Sequence, residues 1–128
     1  MPMEIRQSAE DYLEAILMIK EKKGYVRSID VANQLNVSKP SVSYATKRLR
    51  ENGYITFNED GMISLTDSGI EIANKIYTRH KVLTNIFKYL GVDDDIASED
   101  ACKIEHDLSP ETFDAICSFI DNQGIKFD

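Results

Sequence analysis

The chain has 128 residues, of which 42% are hydrophobic and 9% aromatic, with a formal net charge of −7. That is enough apolar material for one compact domain or two small sub-domains, and it excludes a disordered chain. No run approaches the about 18 continuous apolar residues of a membrane span, and the N-terminal MPMEIRQSAED lacks an apolar export core. Two cysteines are too few for a disulfide framework, so a cytoplasmic protein with reduced thiols and no membrane partner is expected. The charge is uneven: residues 1–57 hold nine lysines and arginines against seven acids, a net of +2, and residues 58–128 hold six against fifteen, a net of −9. Such a division is compatible with DNA at one end and cations at the other.

In chain order, SAEDYLEAILMIKEKKG sets Tyr12, Leu13, Ile16, Leu17 and Ile19 on an apolar stripe, which predicts a first helix with Ser8 as N-cap and Gly24 at its stop. Asp11 and Glu14 stand at i and i+3 on its flank, so their carboxylates point the same way. Two readings are open for them, a solvated face or a pair of ligands.

The next stretch, SIDVANQLNVSKPSVSYATKRLRENGYI, predicts two short helices. Ser28 is expected to cap the first, with Ile29, Val31, Ala32 and Leu35 as its apolar positions, and Asn36 and Val37 to make the turn. Ser38 is expected to cap the second, with Pro40 in its first turn, where a missing N–H costs nothing. Val42, Ala45, Thr46 and Leu49 face inward at helical spacing and Gly53 ends the run. Two short helices joined this way form a helix-turn-helix. Ser38, Ser41 and Ser43 are short donors and acceptors suited to a major groove, Tyr44 reaches a base edge or a phosphate, and Lys47, Arg48 and Arg50 meet the backbone. Arg27, Lys39 and Pro40 complete the candidate DNA-binding set. An ordinary helical hairpin with a lysine-rich face is the plainer reading.

Two β-prone runs follow, Tyr54 to Phe57 and Met62 to Leu65, separated by Asn58-Glu59-Asp60-Gly61, and an Asp-Gly turn between such runs signals a hairpin. A helix-turn-helix followed by a hairpin is a winged helix. Glu59 and Asp60 make the tip of this wing acidic, so weak contact with DNA is expected there.

Thr66 caps a long amphipathic connector, TDSGIEIANKIYTRHKVLTNIFKYLG, whose apolar residues cover more than one face and therefore need more than one neighbour. It is expected to pack on the DNA-binding half at its start, and to join a second core at its end, where a dimer interface is one option. His80 lies in its middle, where a structural role and a ligand role are both open. Asp93-Asp94-Asp95 caps a further helix that includes SEDACKIEHDL. There Cys102, Glu105 and His106 stand at i, i+3 and i+4, a spacing that puts a thiol, a carboxylate and an imidazole on one helical face able to grip a single ion. A solvated acidic helix with a packed Cys and His is the alternative. Ser109 and Pro110 open a last helix, with Phe113, Ile116, Cys117 and Ile120 on its apolar face and Cys117 as core.

Taken together, the pattern is mainly α: a winged helix-turn-helix with a small hairpin wing over residues 1–66, then an all-helical metal-binding and dimerisation domain over residues 67–128, of which 67–90 is the connector. Three donor sets lie on three separate helices, Asp11 with Glu14, His80, and Cys102 with Glu105 and His106.

This order of elements, with SAEDYLEAIL, YTRHKVL and EDACKIEHDLS, resembles the diphtheria toxin repressor family of iron- and manganese-dependent transcriptional regulators over essentially the whole chain. The resemblance implies a metal site at Asp11, Glu14, His80, Cys102, Glu105 and His106, and places Ser38, Pro40 and Tyr44 near DNA at the start of the recognition helix. It implies the short, manganese-regulator-like form, without the SH3-type domain of iron-type members. Iron-type members share Cys-x-x-Glu-His but usually have a methionine at or beside the position of Asp11; manganese-type members share the Asp11 and Glu14 pair but usually have a carboxylate in place of Cys102. The site is a hybrid, in which carboxylates suit Mn²⁺ and a thiolate with two imidazoles moves the preference toward Fe²⁺, Co²⁺ or Zn²⁺. Thr84 occupies the place of an iron-type carboxylate, which argues against that second site, while Glu99, Glu105 and Asp107 leave room for a bridged second ion.

The expected function is a homodimeric, Mn²⁺- or Fe²⁺-activated repressor that binds a double-stranded DNA operator and controls metal homeostasis, with Co²⁺, Ni²⁺ or Zn²⁺ as substitutes in vitro. The alternative is a winged-helix transcription factor that does not sense metal. The chain has no His-Glu-x-x-His motif, Gly-rich phosphate loop or Gly-x-Ser-x-Gly elbow, so neither an enzyme nor an organic small-molecule substrate is expected.

Overall fold

A computed structural model of the protein describes residues 7–127, so the opening of the N-terminal stretch lies outside the described residues. The elements run α1 (Gln7–Lys23), α2 (Ser28–Leu35), α3 (Lys39–Glu51), β1 (Ile55–Phe57), β2 (Ile63–Leu65), α4 (Asp67–Tyr89), α5 (Asp94–Ile104) and α6 (Pro110–Asn122). The fold is thus mainly α, with a helix-turn-helix, a two-stranded wing and a helical C-terminal part. Two compact units meet in sequence within α4, between Lys75 and Ile76.

In the first unit, α1 contributes the stripe expected of it: Tyr12, Leu13, Ile16 and Ile19 are buried, together with Val26, Val31, Ala32, Val42, Leu49, Ile55, Ile63 and Ala73. Its start differs from expectation, since the helix already includes Gln7 and Ser8 therefore lies inside it. Ser28 is likewise the first helical residue of α2, whose cap is Arg27, with its N–H donating to the Asp30 carboxylate at 3.0 Å. Lys23 Nζ holds the same carboxylate at 2.7 Å, and this hydrogen bond lowers the Asp30 pKa from its ordinary value. Ile29 is 45% exposed, so α2 buries Val31 and Ala32 without it.

The turn falls at Asn36, whose φ of 55° is the left-handed conformation asparagine tolerates best among non-glycine residues. Ser38 caps α3, accepting from the Ser41 N–H at 3.2 Å. Both strands are one residue shorter than expected and pair antiparallel, Ile55 with Leu65 and Phe57 with Ile63. At the tip, Asn58 Oδ1 accepts from the Asp60 and Met62 N–H groups at 2.9 Å each, and Gly61 supplies a φ of 79°. The wing is anchored at its base and tip: the Ile63 N–H donates to the Val26 carbonyl at 2.7 Å, and Arg27 Nη1 donates to the Asp60 carbonyl at 2.9 Å.

Thr66 caps α4 through the Gly69 N–H at 3.2 Å while its own hydroxyl donates to the Gly53 carbonyl at 2.6 Å. This double attachment draws the first turn of α4 against the chain leaving α3. A Cβ at Gly69 would overlap the Tyr54 carbonyl oxygen.

In the second unit, Asp93 caps α5 through the Asp95 N–H at 3.3 Å, and Ser109 caps α6 through the Thr112 N–H at 3.1 Å, with Pro110 as the first helical residue. Helix α5 ends at Ile104 and Glu105 is its C-cap. Glu105 nevertheless keeps helical backbone angles, with its N–H donating to the Ala101 carbonyl at 2.9 Å, so its carboxylate stays within 4.8 Å of the Cys102 thiol, while His106 lies in the turn that follows. The buried apolar residues here are Ile76, Leu83, Ala97, Ala101 and Ile120, whereas Tyr89, Leu90, Ile96 and Phe119 are each more than half exposed. Among the described residues no helix is long and apolar enough to cross a membrane.

The close approach of α4 to Tyr54 gives a first test. Gly69→Ala is expected to destabilise the protein by about 1–3 kcal/mol, because a backbone carbonyl cannot swing aside as a side chain would. Urea unfolding followed by circular dichroism measures it, with a fall in midpoint at unchanged slope as the expected result.

Candidate DNA-binding helix and metal centre

Helix α3 sorts its residues cleanly. Val42, Thr46 and Leu49 are buried, whereas Ser38, Lys39, Pro40, Ser41, Ser43, Tyr44, Lys47 and Arg48 are exposed. Thr46 is a polar group on the inner face, and its hydroxyl is satisfied by the Val42 carbonyl at 2.7 Å. Tyr44 is 66% exposed, and Arg48 lies over its ring, 5.7 Å from the centroid, with Nη1 3.4 Å from the phenol oxygen. The outer face of α3 therefore presents hydroxyls in its first turn and cations in its later turns, the chemistry of base edges followed by phosphates. Arg27 stands apart from this helix, exposed at the start of α2 with one terminal nitrogen on the wing tip. A guanidinium has five donors, so that bond leaves others for a phosphate.

The metal candidates separate by unit. Asp11 and Glu14 lie one turn apart on α1; Glu14 is buried and Asp11 half-buried. In the second unit, Glu105 has no exposed surface, and its Oε2 accepts from His80 Nδ1 at 2.9 Å. The other oxygen, Oε1, lies 3.5 Å from His106 Nε2 and makes no hydrogen bond among the described residues. Ser98 Oγ faces the second nitrogen of His80, Nε2, at 3.5 Å. The fold thus brings His80, Glu105 and His106 together around one buried carboxylate. Cys102 is exposed on α5, and its thiol sulfur lies within 4.8 Å of a Glu105 carboxylate oxygen.

A buried ionised carboxylate is costly unless opposed by positive charge or well hydrogen-bonded. Glu105 has one strong bond and one oxygen left over, beside a second imidazole. Carboxylate and imidazole are the donor types divalent transition metals take, so the residues present fit an ion of that class.

Sequence reasoning passed over Arg79. It is only 5% exposed, and its Nη1 donates to the carbonyls of Glu105 at 3.0 Å and Leu108 at 2.7 Å. Its signal was present in the sequence: it stands three residues after Ile76 and four before Leu83, on the apolar phase of α4, where a charged side chain is out of place.

Comparison with known proteins agrees with both halves of this description. Residues 4–62 match the family described as iron dependent repressor, N-terminal DNA binding domain, and residues 66–124 match iron dependent repressor, metal binding and dimerisation domain. The chain belongs to the iron-dependent repressor family. An HTH-type transcriptional regulator of Methanocaldococcus jannaschii is 41% identical over 118 residues, covering 90% of this chain and 94% of that protein. The transcriptional regulator MntR of Salmonella typhimurium is 35% identical over 119 residues, covering 93% of this chain and 76% of that protein. Among solved structures, T. acidophilum IdeR aligns with a TM-score of 0.77 at 27% identity, over 96% of this chain and 56% of that one. A manganese-dependent transcriptional repressor in complex with manganese aligns at 0.81 and 28% identity, over 88% of this chain and 52% of that one. The chain spans about half the length of these two solved chains. Membership of the iron-dependent repressor family makes the protein a metal-dependent, DNA-binding transcriptional regulator.

The two thiols differ in a way labelling can read. Burial pushes the Cys117 thiol up, and the Asp114 and Asp121 carboxylates add to the shift, so it holds less thiolate at neutral pH than an ordinary cysteine. Iodoacetamide at neutral pH is expected to modify exposed Cys102 first and Cys117 several-fold more slowly, the gap narrowing as pH rises through the thiol range. Peptide mass spectrometry over a time course checks this; equal rates at neutral pH would contradict the environments described.

Proposed function

We propose that the protein is a homodimeric, cytoplasmic repressor, activated by Mn²⁺ or Fe²⁺, that binds a double-stranded operator and controls metal-ion uptake. The ion is held by Asp11 and Glu14 of α1 with His80, Cys102, Glu105 and His106. DNA is met by Arg27, Ser38, Lys39, Pro40, Ser41, Ser43, Tyr44, Lys47 and Arg48. The domains assigned to these roles are residues 1–66 for DNA and 67–128 for metal and dimerisation, with 67–90 as connector. No catalytic role is assigned to any residue.

The observation that carries the reading is the buried Glu105 carboxylate between two imidazoles. When bound, the ion supplies positive charge to a set of acidic donors that otherwise repel one another. His80 keeps Glu105 oriented through Nδ1, and the N-cap serine of α3 keeps the first turn of the recognition helix in place. In this reading the orientation of α3 depends on metal occupancy. In a two-fold dimer that orientation sets the spacing between two recognition helices, which must match successive major grooves about 34 Å apart. The exposed Tyr89, Leu90, Ile96 and Phe119 support the dimeric reading, since exposed large apolar side chains in a small unit point to a partner surface.

Fluorescence anisotropy of a promoter fragment, with and without Mn²⁺ or Fe²⁺, tests this. Tighter binding with metal is expected, and equal affinity in both would overturn it; a flat calorimetric metal titration would leave a winged-helix regulator that does not sense metal. Lys47→Ala is expected to weaken binding similarly across sequences and to lower the slope of log affinity against log salt by about 0.9 for each phosphate that the lysine neutralises. Cys102→Glu is expected to shift the response toward manganese, read as the ratio of Mn²⁺ to Fe²⁺ needed for half-maximal DNA binding. An unchanged ratio would remove the thiol from the selectivity argument.

A further inference from the structure

We infer that Arg79, which is not itself a ligand, is a positioning residue of the metal centre, fixing the backbone from which Glu105 and His106 project. This rests on the reading of those two residues and His80 as ligands.

Helix α5 ends at Ile104, and the chain makes a turn before α6 begins at Pro110. The carbonyls at a helix end have no intrahelical partners and need others. Two in this turn, those of Glu105 and Leu108, accept from the same Arg79 nitrogen, across 26 and 29 residues of sequence. Arg79 thus clamps both ends of the four-residue segment that carries Glu105 and His106. The next residue of α4, His80, holds the Glu105 side chain. Consecutive residues of one helix therefore fix the same glutamate, one by its backbone and one by its carboxylate.

Packing alone does not explain this arginine. The guanidinium lies over the Phe113 ring, 5.3 Å from the centroid, and no carboxylate lies within ion-pair distance of it among the described residues. A buried cation facing neutral carbonyls and a ring is expensive compared with a leucine or methionine at the same position. What the cation adds is two directed hydrogen bonds to the ligand-bearing turn. A turn ordered before the ion arrives loses less freedom when it binds, and groups that orient metal ligands in this way typically account for about 10–100-fold in metal affinity.

The test is calorimetric titration of the full chain with Mn²⁺ under reducing conditions, together with amide hydrogen exchange of residues 105–108 without metal. Arg79→Met is expected to bind Mn²⁺ about 10–100-fold more weakly and to exchange these amides faster. Arg79→Lys keeps the charge and its N–H donors but is shorter and lacks the planar face, so it should fall between. Leu83→Ala is the control: it loses buried apolar volume in the same unit and should lower the melting temperature while keeping Mn²⁺ affinity. Should Arg79→Met fail to fold, Arg79→Lys against Leu83→Ala makes the same comparison. Mn²⁺ binding by the arginine variants as tight as in the unsubstituted chain, or an equal loss in Leu83→Ala, would overturn the role of Arg79. Absence of binding in the unsubstituted chain would instead overturn the ligand reading, and this inference with it.

Discussion

The second unit depends on how one buried acidic side chain is satisfied. Glu105 has no exposed surface, and a carboxylate out of water costs several kcal/mol unless the surroundings answer it. The answer given by the fold is incomplete: His80 takes one oxygen at 2.9 Å, and the other faces His106 at 3.5 Å without a hydrogen bond among the described residues. An arrangement that is strained for a free carboxylate is suitable for one that shares a cation. The apolar content of the unit sharpens this, because two of its buried apolar residues are alanines while Tyr89, Leu90, Ile96 and Phe119 remain exposed. With so few large side chains buried, each worth about 1.5–3 kcal/mol, ion binding and association contribute to stability as well as to regulation, since anything that binds only the folded state stabilises it.

The first unit rests more on apolar packing. Apart from the buried Glu14 its charged groups lie toward the surface, its core holds large aliphatic side chains from α1, α2, α3 and both strands, and its turns are closed by local devices: Ser38 on α3, Asn36 between the helices, Asn58 in the wing. The wing is also tied to the entry of α2 by hydrogen bonds to Val26 and Arg27. At the wing tip Arg27 sits directly on the Asp60 carbonyl and offsets the local negative charge.

Legibility in the sequence followed the range of the interactions. Ser38, Thr66, Asp93 and Ser109 were identifiable as caps because a cap is made within three residues of its partner. Ser8 and Ser28 misled because serine is only permissive at a helix start: α1 includes Gln7, and at α2 the Asp30 carboxylate satisfies the Arg27 N–H and shifts the cap one residue back. The end of α5 was not legible at all. What accompanies the stop after Ile104 is an arginine 26 residues earlier taking the Glu105 carbonyl. Local pattern carries no information about a hydrogen bond of that span. The donor types could nonetheless be picked out, because both histidines and a Cys-x-x-Glu-His run are conspicuous in so short a chain.

Cys102 differs from the other second-unit donors in one physical respect, its exposure. Changing Glu105 or His106 alters a buried electrostatic balance, and the cost falls on folding as well as on binding. Changing an exposed helical residue such as Cys102 typically costs within about 0.5 kcal/mol of stability. In the proposed site the buried donors therefore supply affinity under tight structural constraint, and the exposed position is where donor softness can vary without disturbing the fold. A thiolate there favours softer divalent ions and a carboxylate favours manganese.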